Sequence, residues 1–134
     1  RCIDKALLSL TRQEQTDLLQ DIDALITDEP RQCIGISTAD CVPVLIHDKV
    51  HQAVAAIHAG WRGTVKRISQ NALSMMHEKY GTIASDCVAV IGPSISQQAF
   101  EVGNEVRIAF EEAGFPSLQA GSGGCGAGRS HEYL

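Results

Sequence analysis

A thiol and an imidazole that share a site can hold a metal ion or work together as nucleophile and base. Two short segments of this sequence raise that chemistry: STADCVP over residues 37–43, with Cys41, and IHAGWRGT over residues 57–64, with His58. The runs VPVLIH (42–47) and QAVAAIH (52–58) read as strands, with Asp48-Lys49 as the turn between them. Pairing about a centre near residues 49–50 sets Cys41 opposite His58 at the open end of this hairpin, and directly opposed Cβ atoms lie about 5 Å apart. A zinc ion would accept both donors, at about 2.3 Å for sulfur and 2.0–2.1 Å for nitrogen, and would keep the sulfur as thiolate. Two ligands are too few for a tight site, so a third is required. The same pair without metal is a cysteine-hydrolase arrangement, with Cys41 as nucleophile and His58 as base. A cysteine beside a strand is more often a core thiol than a ligand. A non-catalytic interaction domain therefore stands as a further alternative.

Three neighbours extend the pair. Asp40 is placed to orient a ligand or to bond a substrate sugar; otherwise it caps the strand end. Arg62, in a Gly-Trp-Arg-Gly turn before a helix, suits an anion, and backbone donors at Gly63, Thr64 and Val65 would add to it. His47, His51, His77 and His131 read as ordinary surface histidines, and Gly92-Pro93 as a plain turn.

The elements that must position these residues follow from periodicity and punctuation. Within the leucine-rich stretch 6–19, a short helix capped by Thr11 is expected, with Thr11 and Glu14 in the form of a capping box. DALIT (23–27) is a strand ended by Asp28-Glu29-Pro30, and CIGIS (33–37) is a second apolar segment. Pro43 marks an edge position, a strand start or a bulge. Residues 64–80 change to helical period, with Val65, Ile68, Ala72, Leu73, Met75 and Met76 near one face and Gly81 as C-cap. CVAVI (87–91) is another strand. Residues 101–113 form a second helix with Val106, Ile108, Ala109 and Phe110 inward and Gly114 as the stop. Strands alternating with helices give a mixed α/β domain. From residue 117 the chain turns Gly-rich and aperiodic, so 117–134 reads as a disordered or non-native tail and 1–116 as the folded domain.

Composition narrows the function. A net charge of −5 argues against a nucleic-acid surface, and aromatics at 4% give no stacking platform for single strands. An anionic substrate would need a local basic pocket. The absence of a long apolar run or of signal-peptide features gives the expectation of a cytoplasmic protein without membrane contact. Five cysteines at irregular spacing, with no CxxC pair, indicate neither a zinc ribbon nor a disulfide framework.

DALITDEPRQCIGISTADCVPVLIHD, AVAAIHAGWRGTVKRI and IGPSISQQAFEVGNEV together resemble the YfiH-type family, over about residues 23–115. That family has carried the labels laccase-domain polyphenol oxidase and purine nucleoside phosphorylase. The resemblance implies an α/β (α+β) sandwich of mixed β-sheets flanked by helices. It also implies a metal held by His, Cys and His, with Cys41 of TADC and His58 of HAGWRG as two of the ligands. The remaining family histidine belongs to a Gln-x-His segment expected upstream of residue 1, so the chain reads as a fragment. Zinc is the implied cofactor and copper the alternative. The implied reaction is phosphorolysis of adenosine, inosine and methylthioadenosine, with adenosine deamination beside it, so a nucleoside and phosphate are the expected partners. Catalytic roles then fall on Cys41, His58, Asp40 and Arg62, and substrate contacts on Asp40, Arg62 and Thr64. Copper-dependent phenol oxidation ranks lower, because the sequence lacks the His-rich clusters that several copper sites would need.

Overall fold

A computed structural model describes residues 2–4, 13, 14, 17, 20–116, 132 and 133. β1 (Cys2–Asp4) and β2 (Ala24–Thr27) run parallel, with Cys2 beside Ala24. β3 (Val42–Asp48) and β4 (Val54–Ala59) form the hairpin. α1 (Trp61–Val65) and α2 (Ile68–Tyr80) follow, and β5 (Cys87–Ile91) pairs antiparallel with β3. The sheet order is β1-β2-β4-β3-β5, so the hairpin occupies its middle. This is the mixed sheet with helices expected from the sequence. The described chain divides into two compact units, Arg1–Pro93 and Ser94–Leu134, and the five-stranded sheet belongs to the first.

The core of this unit lies between one face of the sheet and α2. Ile26, Ile46, Ala55 and Ile57 meet Ile68, Ala72 and Met76, which recur every four residues on one helix face. Alanines at Ala24, Ala53 and Ala55 keep the strand surface low enough for the helix to approach. Burying a side chain such as Ile57 or Met76, both wholly enclosed, is worth about 1.5–3 kcal/mol. In β3, where buried Ile46 and Asp48 alternate with exposed Leu45 and His47, a one-residue slip would turn the buried set outward, so this burial fixes the face that strand presents. The opposite face carries Leu45, Val88 and Val90, all exposed.

Several expectations change in the structure. The hairpin register places His58 opposite Pro43 and Val42 opposite Ala59, so Cys41 is not the direct partner of His58. The turn is longer than Asp48-Lys49 alone. The Asp48 carboxylate accepts hydrogen bonds from the N–H groups of Val50 (2.8 Å) and His51 (3.1 Å), and Asp48 N–H donates to the Ala53 carbonyl at 2.8 Å. The loop therefore spans residues 49–52, and the register moves by two. An even shift keeps the faces, so Cys41 and His58 remain diagonal neighbours on one side of the sheet. Pro43 is the second residue of β3, and its carbonyl accepts from Gly92 N–H at 2.9 Å.

Residues 64–80 are two helices rather than one. Arg67 takes a left-handed conformation (φ 55°) between them, and α1 begins earlier, at Trp61. Gly81, also left-handed at φ 76°, caps α2 where a side chain would be strained. Residues 33–37 form no strand. Of the short helix expected after Thr11, Gln13, Glu14 and Asp17 are helical, and the rest, with Thr11, lies outside the described residues.

In the second unit, Glu101–Val102 (β6) pairs with Glu132–Tyr133 (β7), and α3 covers Asn104–Glu112. The helix thus starts three residues later than its pattern suggests, because Gly103 is its N-cap. Val106 and Phe110 are buried one turn apart; Ile108, midway between them, falls on the far side and is exposed. Apart from β7, the Gly-rich segment and His131 lie outside the described residues.

Candidate functional site

The open end of the hairpin gathers its groups around a missing side chain. A Cβ built on Gly60 would lie 3.4 Å from Cys41 Sγ and 3.6 Å from His58 Nε2. Thiol and imidazole nitrogen therefore face one small space that glycine leaves clear. Chain geometry explains how they arrive there. Asp40 is left-handed (φ 75°), a conformation Asp tolerates better than most residues, and it turns the chain into Cys41 just before β3. His58 is the fifth residue of β4, and Gly60 ends that strand and caps α1.

On its other side, His58 Nδ1 lies 3.7 Å from Asp23 Oδ1, and the two residues are already joined by His58 N–H donating to the Asp23 carbonyl at 2.7 Å. A pocket of about 480 Å³ opens here, lined among others by Asp23, Cys41, His58, Trp61, Arg62 and Lys66. The Arg62 guanidinium stacks on the Trp61 ring, with Cζ 4.2 Å from the ring centre. Two cations, a thiol and an imidazole thus line one pocket.

Of the residues singled out from sequence, the structure brings Cys41, His58 and Arg62 together. Asp40 and Thr64 do not line this pocket. The Thr64 N–H expected for an anion donates to the Gly60 carbonyl at 2.8 Å, as the short helix requires. Asp23 and Lys66 were not anticipated. Lys66 carries a legible signal, one helical turn beyond Arg62. Asp23 does not, because its place depends on β2 pairing with a strand some thirty residues away.

The other histidines and thiols contrast with this pair. His51 Nδ1–H donates to the buried Asp48 carboxylate at 2.8 Å, and His77 Nδ1–H to the Thr82 carbonyl at 2.9 Å, so both clamp loops rather than merely facing solvent. Burial pushes the Cys87 thiol up, with the Asp48 and Asp86 carboxylates adding to the shift, so it stays protonated. Its Sγ–H donates to the Ile83 carbonyl at 3.5 Å.

The donor chemistry at Gly60 suits a metal. Thiolate and imidazole are the ligand types that zinc and copper share. Among the described residues no three His, Cys, Asp or Glu side chains converge, so Cys41 and His58 could supply at most two of the donors a tetrahedral ion takes.

A mixed sheet whose central hairpin ends in a Cys–His pair beside the Gly-Trp-Arg-Gly start of α1 is the arrangement of the laccase-like class. The family model for multi-copper polyphenol oxidoreductase laccase matches residues 4–128, and the chain belongs to that family, the YfiH type. It is 56% identical over 113 residues to a purine nucleoside phosphorylase from Bacteroides thetaiotaomicron, covering 84% of this chain and 42% of the relative. It is 43% identical over 113 residues to adenosine deaminase RL5 from an unknown prokaryotic organism, covering 84% and 43%. Among solved structures, YlmD from Geobacillus stearothermophilus superposes with a TM-score of 0.68 at 25% identity, over 84% of this chain and 42% of that one. A Neisseria meningitidis protein gives 0.60 at 41% identity, over 67% and 36%. The chain thus spans about two fifths of the length of the curated relatives it matches. No helix among the described residues is long and apolar enough to cross a membrane.

Proposed function

We propose that the protein containing this chain is a zinc-dependent purine nucleoside phosphorylase acting on adenosine, inosine and methylthioadenosine. The observation that carries this reading is the convergence of Cys41 Sγ and His58 Nε2 on the space beside Gly60, in a pocket that also holds Arg62 and Lys66. Relatives named as phosphorylases support the reaction class. Cys41 and His58 would hold the metal, with further ligands from outside the described residues, and the bound ion would supply Lewis-acid stabilisation of developing negative charge.

The rest of the work falls to side chains. Arg62, kept flat against Trp61, presents a planar fork that grips phosphate bidentately, and Lys66 adds a second positive charge. Held there, a phosphate oxygen forms its bond to the anomeric carbon as the glycosidic C–N bond breaks, and that electron pair leaves with the base nitrogen. The substrate roles expected for Asp40 and Thr64 have no place in this scheme. Asp40 contributes its turn into Cys41 and Thr64 its hydrogen bond to Gly60.

The test is metal analysis of the full-length protein, followed by inosine and adenosine turnover with and without phosphate. Zinc near one equivalent, with base release that needs phosphate and disappears in Cys41→Ala and His58→Ala, is the expected result. Release that persists in both variants overturns the assignment. Ammonia release without phosphate dependence would instead make the reaction a deamination. Copper as the bound metal would favour phenol oxidation.

The line Asp23, His58, Cys41 also favours a second reading, a metal-free nucleophile and base. Stoichiometric alkylation of Cys41 that added zinc leaves unchanged would support it.

A further inference from the structure

We propose that the cleft between the start of β2 and residues 35–37 is the subsite for the purine base, bordering the cationic pocket at His58. This inference rests on the proposed nucleoside chemistry and assigns the part of the substrate that the cations do not suit. The cleft has a volume of about 340 Å³ and is lined by Ile22, Leu25, Gly35, Ile36, Ser37 and His58. His58 also lines the pocket of Arg62 and Lys66, so one imidazole borders both spaces.

The strand register sets this border. Leu25 pairs with Ala56, and His58 lies two residues further along β4, so Leu25 and His58 project to the same side of the sheet. Ile57, between Ala56 and His58, points the other way and is buried in the core with α2. Residues 35–37 form no strand and wall the cleft instead. Gly35 leaves room there: a Cβ built on it meets no atom within 4 Å.

The two spaces differ in chemistry. Arg62 and Lys66 give the first the charge that suits phosphate. The cleft has aliphatic walls at Ile22, Leu25 and Ile36, no charged carboxylate, ammonium or guanidinium, and two polar groups, Ser37 and His58. Apolar walls with a few polar groups suit a planar heterocycle, whose faces they cover while a hydroxyl donates to or accepts from its edge. Displacement at an anomeric carbon brings the nucleophile to the face opposite the leaving group. Separate spaces for phosphate and base, sharing only the His58 wall, meet that requirement. The Trp61 ring is the competing platform for a base, but the Arg62 guanidinium already covers one of its faces.

The test uses the full-length protein and hypoxanthine, the base that inosine would release. In NMR titration the amide signals of Gly35, Ile36 and Ser37 are expected to shift, and the Trp61 indole signal to stay in place. Gly35→Val puts a branched side chain into open space, so hypoxanthine affinity should fall and KM for inosine rise, each about tenfold. KM for phosphate and the melting temperature should hold. Ser37→Ala removes only a hydroxyl from an exposed position and should act in the same sense but less, which keeps the test valid if Gly35→Val does not fold. Shifts at Trp61 with none at residues 35–37, or a KM for inosine indifferent to both substitutions, overturns the subsite while phosphate-dependent turnover keeps the phosphorylase reading. Hypoxanthine bound at residues 35–37 of a protein that releases no base from inosine supports the subsite and sinks that reading.

Discussion

The two ends of the β3–β4 hairpin use the same residue types to opposite purposes. At the closed end, the Asp48 carboxylate is wholly enclosed and accepts from two backbone N–H groups and from the His51 ring, all within 3.1 Å. At the open end, Asp23 and His58 stand 3.7 Å apart, half-exposed, with a free thiol facing the other ring nitrogen. Saturation makes the first end a clamp. At the second end the Cys41 thiol and His58 Nε2 face the space beside Gly60, in a pocket open to solvent. A histidine whose ring is already taken up by a neighbouring carboxylate, as His51 is, reads as a clamp, and one whose second ring nitrogen faces a pocket reads as a candidate donor.

Burial of Asp48 would by itself raise its pKa, but its hydrogen-bond partners outweigh that and hold the carboxyl well below the usual range. The Thr82 hydroxyl beside it adds to the effect, although its buried oxygen makes no hydrogen bond of good geometry. Breaking the clamp should produce the largest effect on folding. Asp48→Ala leaves the Val50 and His51 donors unmatched, and a marked fall in melting temperature is expected, read by thermal denaturation. Because the folded pKa is depressed, the unfolded chain takes up the proton first on acidification. The contribution of Asp48 is complete above its unfolded pKa of about 4 and is lost as pH falls below it. Denaturation curves between pH 2 and 6 should show this loss, and Asp48→Asn should flatten it.

The open end should respond in function and not in folding. Gly60→Ala places a methyl at ordinary contact distance from Sγ and Nε2, so the chain folds while the cleared space is filled. Zinc affinity is expected to drop by an order of magnitude or more with little change in melting temperature, measured by chelator competition. The smallest effect belongs to Arg62→Lys. It keeps the charge but loses the planar fork and much of the stacking on Trp61, so KM for phosphate should rise about tenfold while kcat changes less.

The same contrast shows how far the sequence was legible. Short apolar runs bounded by turn residues identified β2, β3, β4 and β5, because such runs are marked by local composition alone. The register escaped by two residues, since it depends on hydrogen bonds from Val50 and His51 to Asp48 that lengthen the turn. The break at Arg67 escaped as well. No proline or glycine marks it, and only the backbone of a folded α1–α2 corner calls for a left-handed arginine there. Cys41, His58 and Arg62 stood out through neighbouring small residues and the family resemblance. Asp23 required knowing that Ala24 meets Ile57, a pairing between distant strands that no local pattern encodes.

The central claim is that one ion takes Cys41 Sγ and His58 Nε2 together. X-ray absorption at the zinc edge of the metal-loaded full-length protein tests it most directly. The account predicts one sulfur neighbour at about 2.3 Å with nitrogen or oxygen neighbours at about 2.0–2.1 Å, and loss of the sulfur shell in Cys41→Ala. A zinc shell with no sulfur, or one whose sulfur survives that substitution, would contradict it.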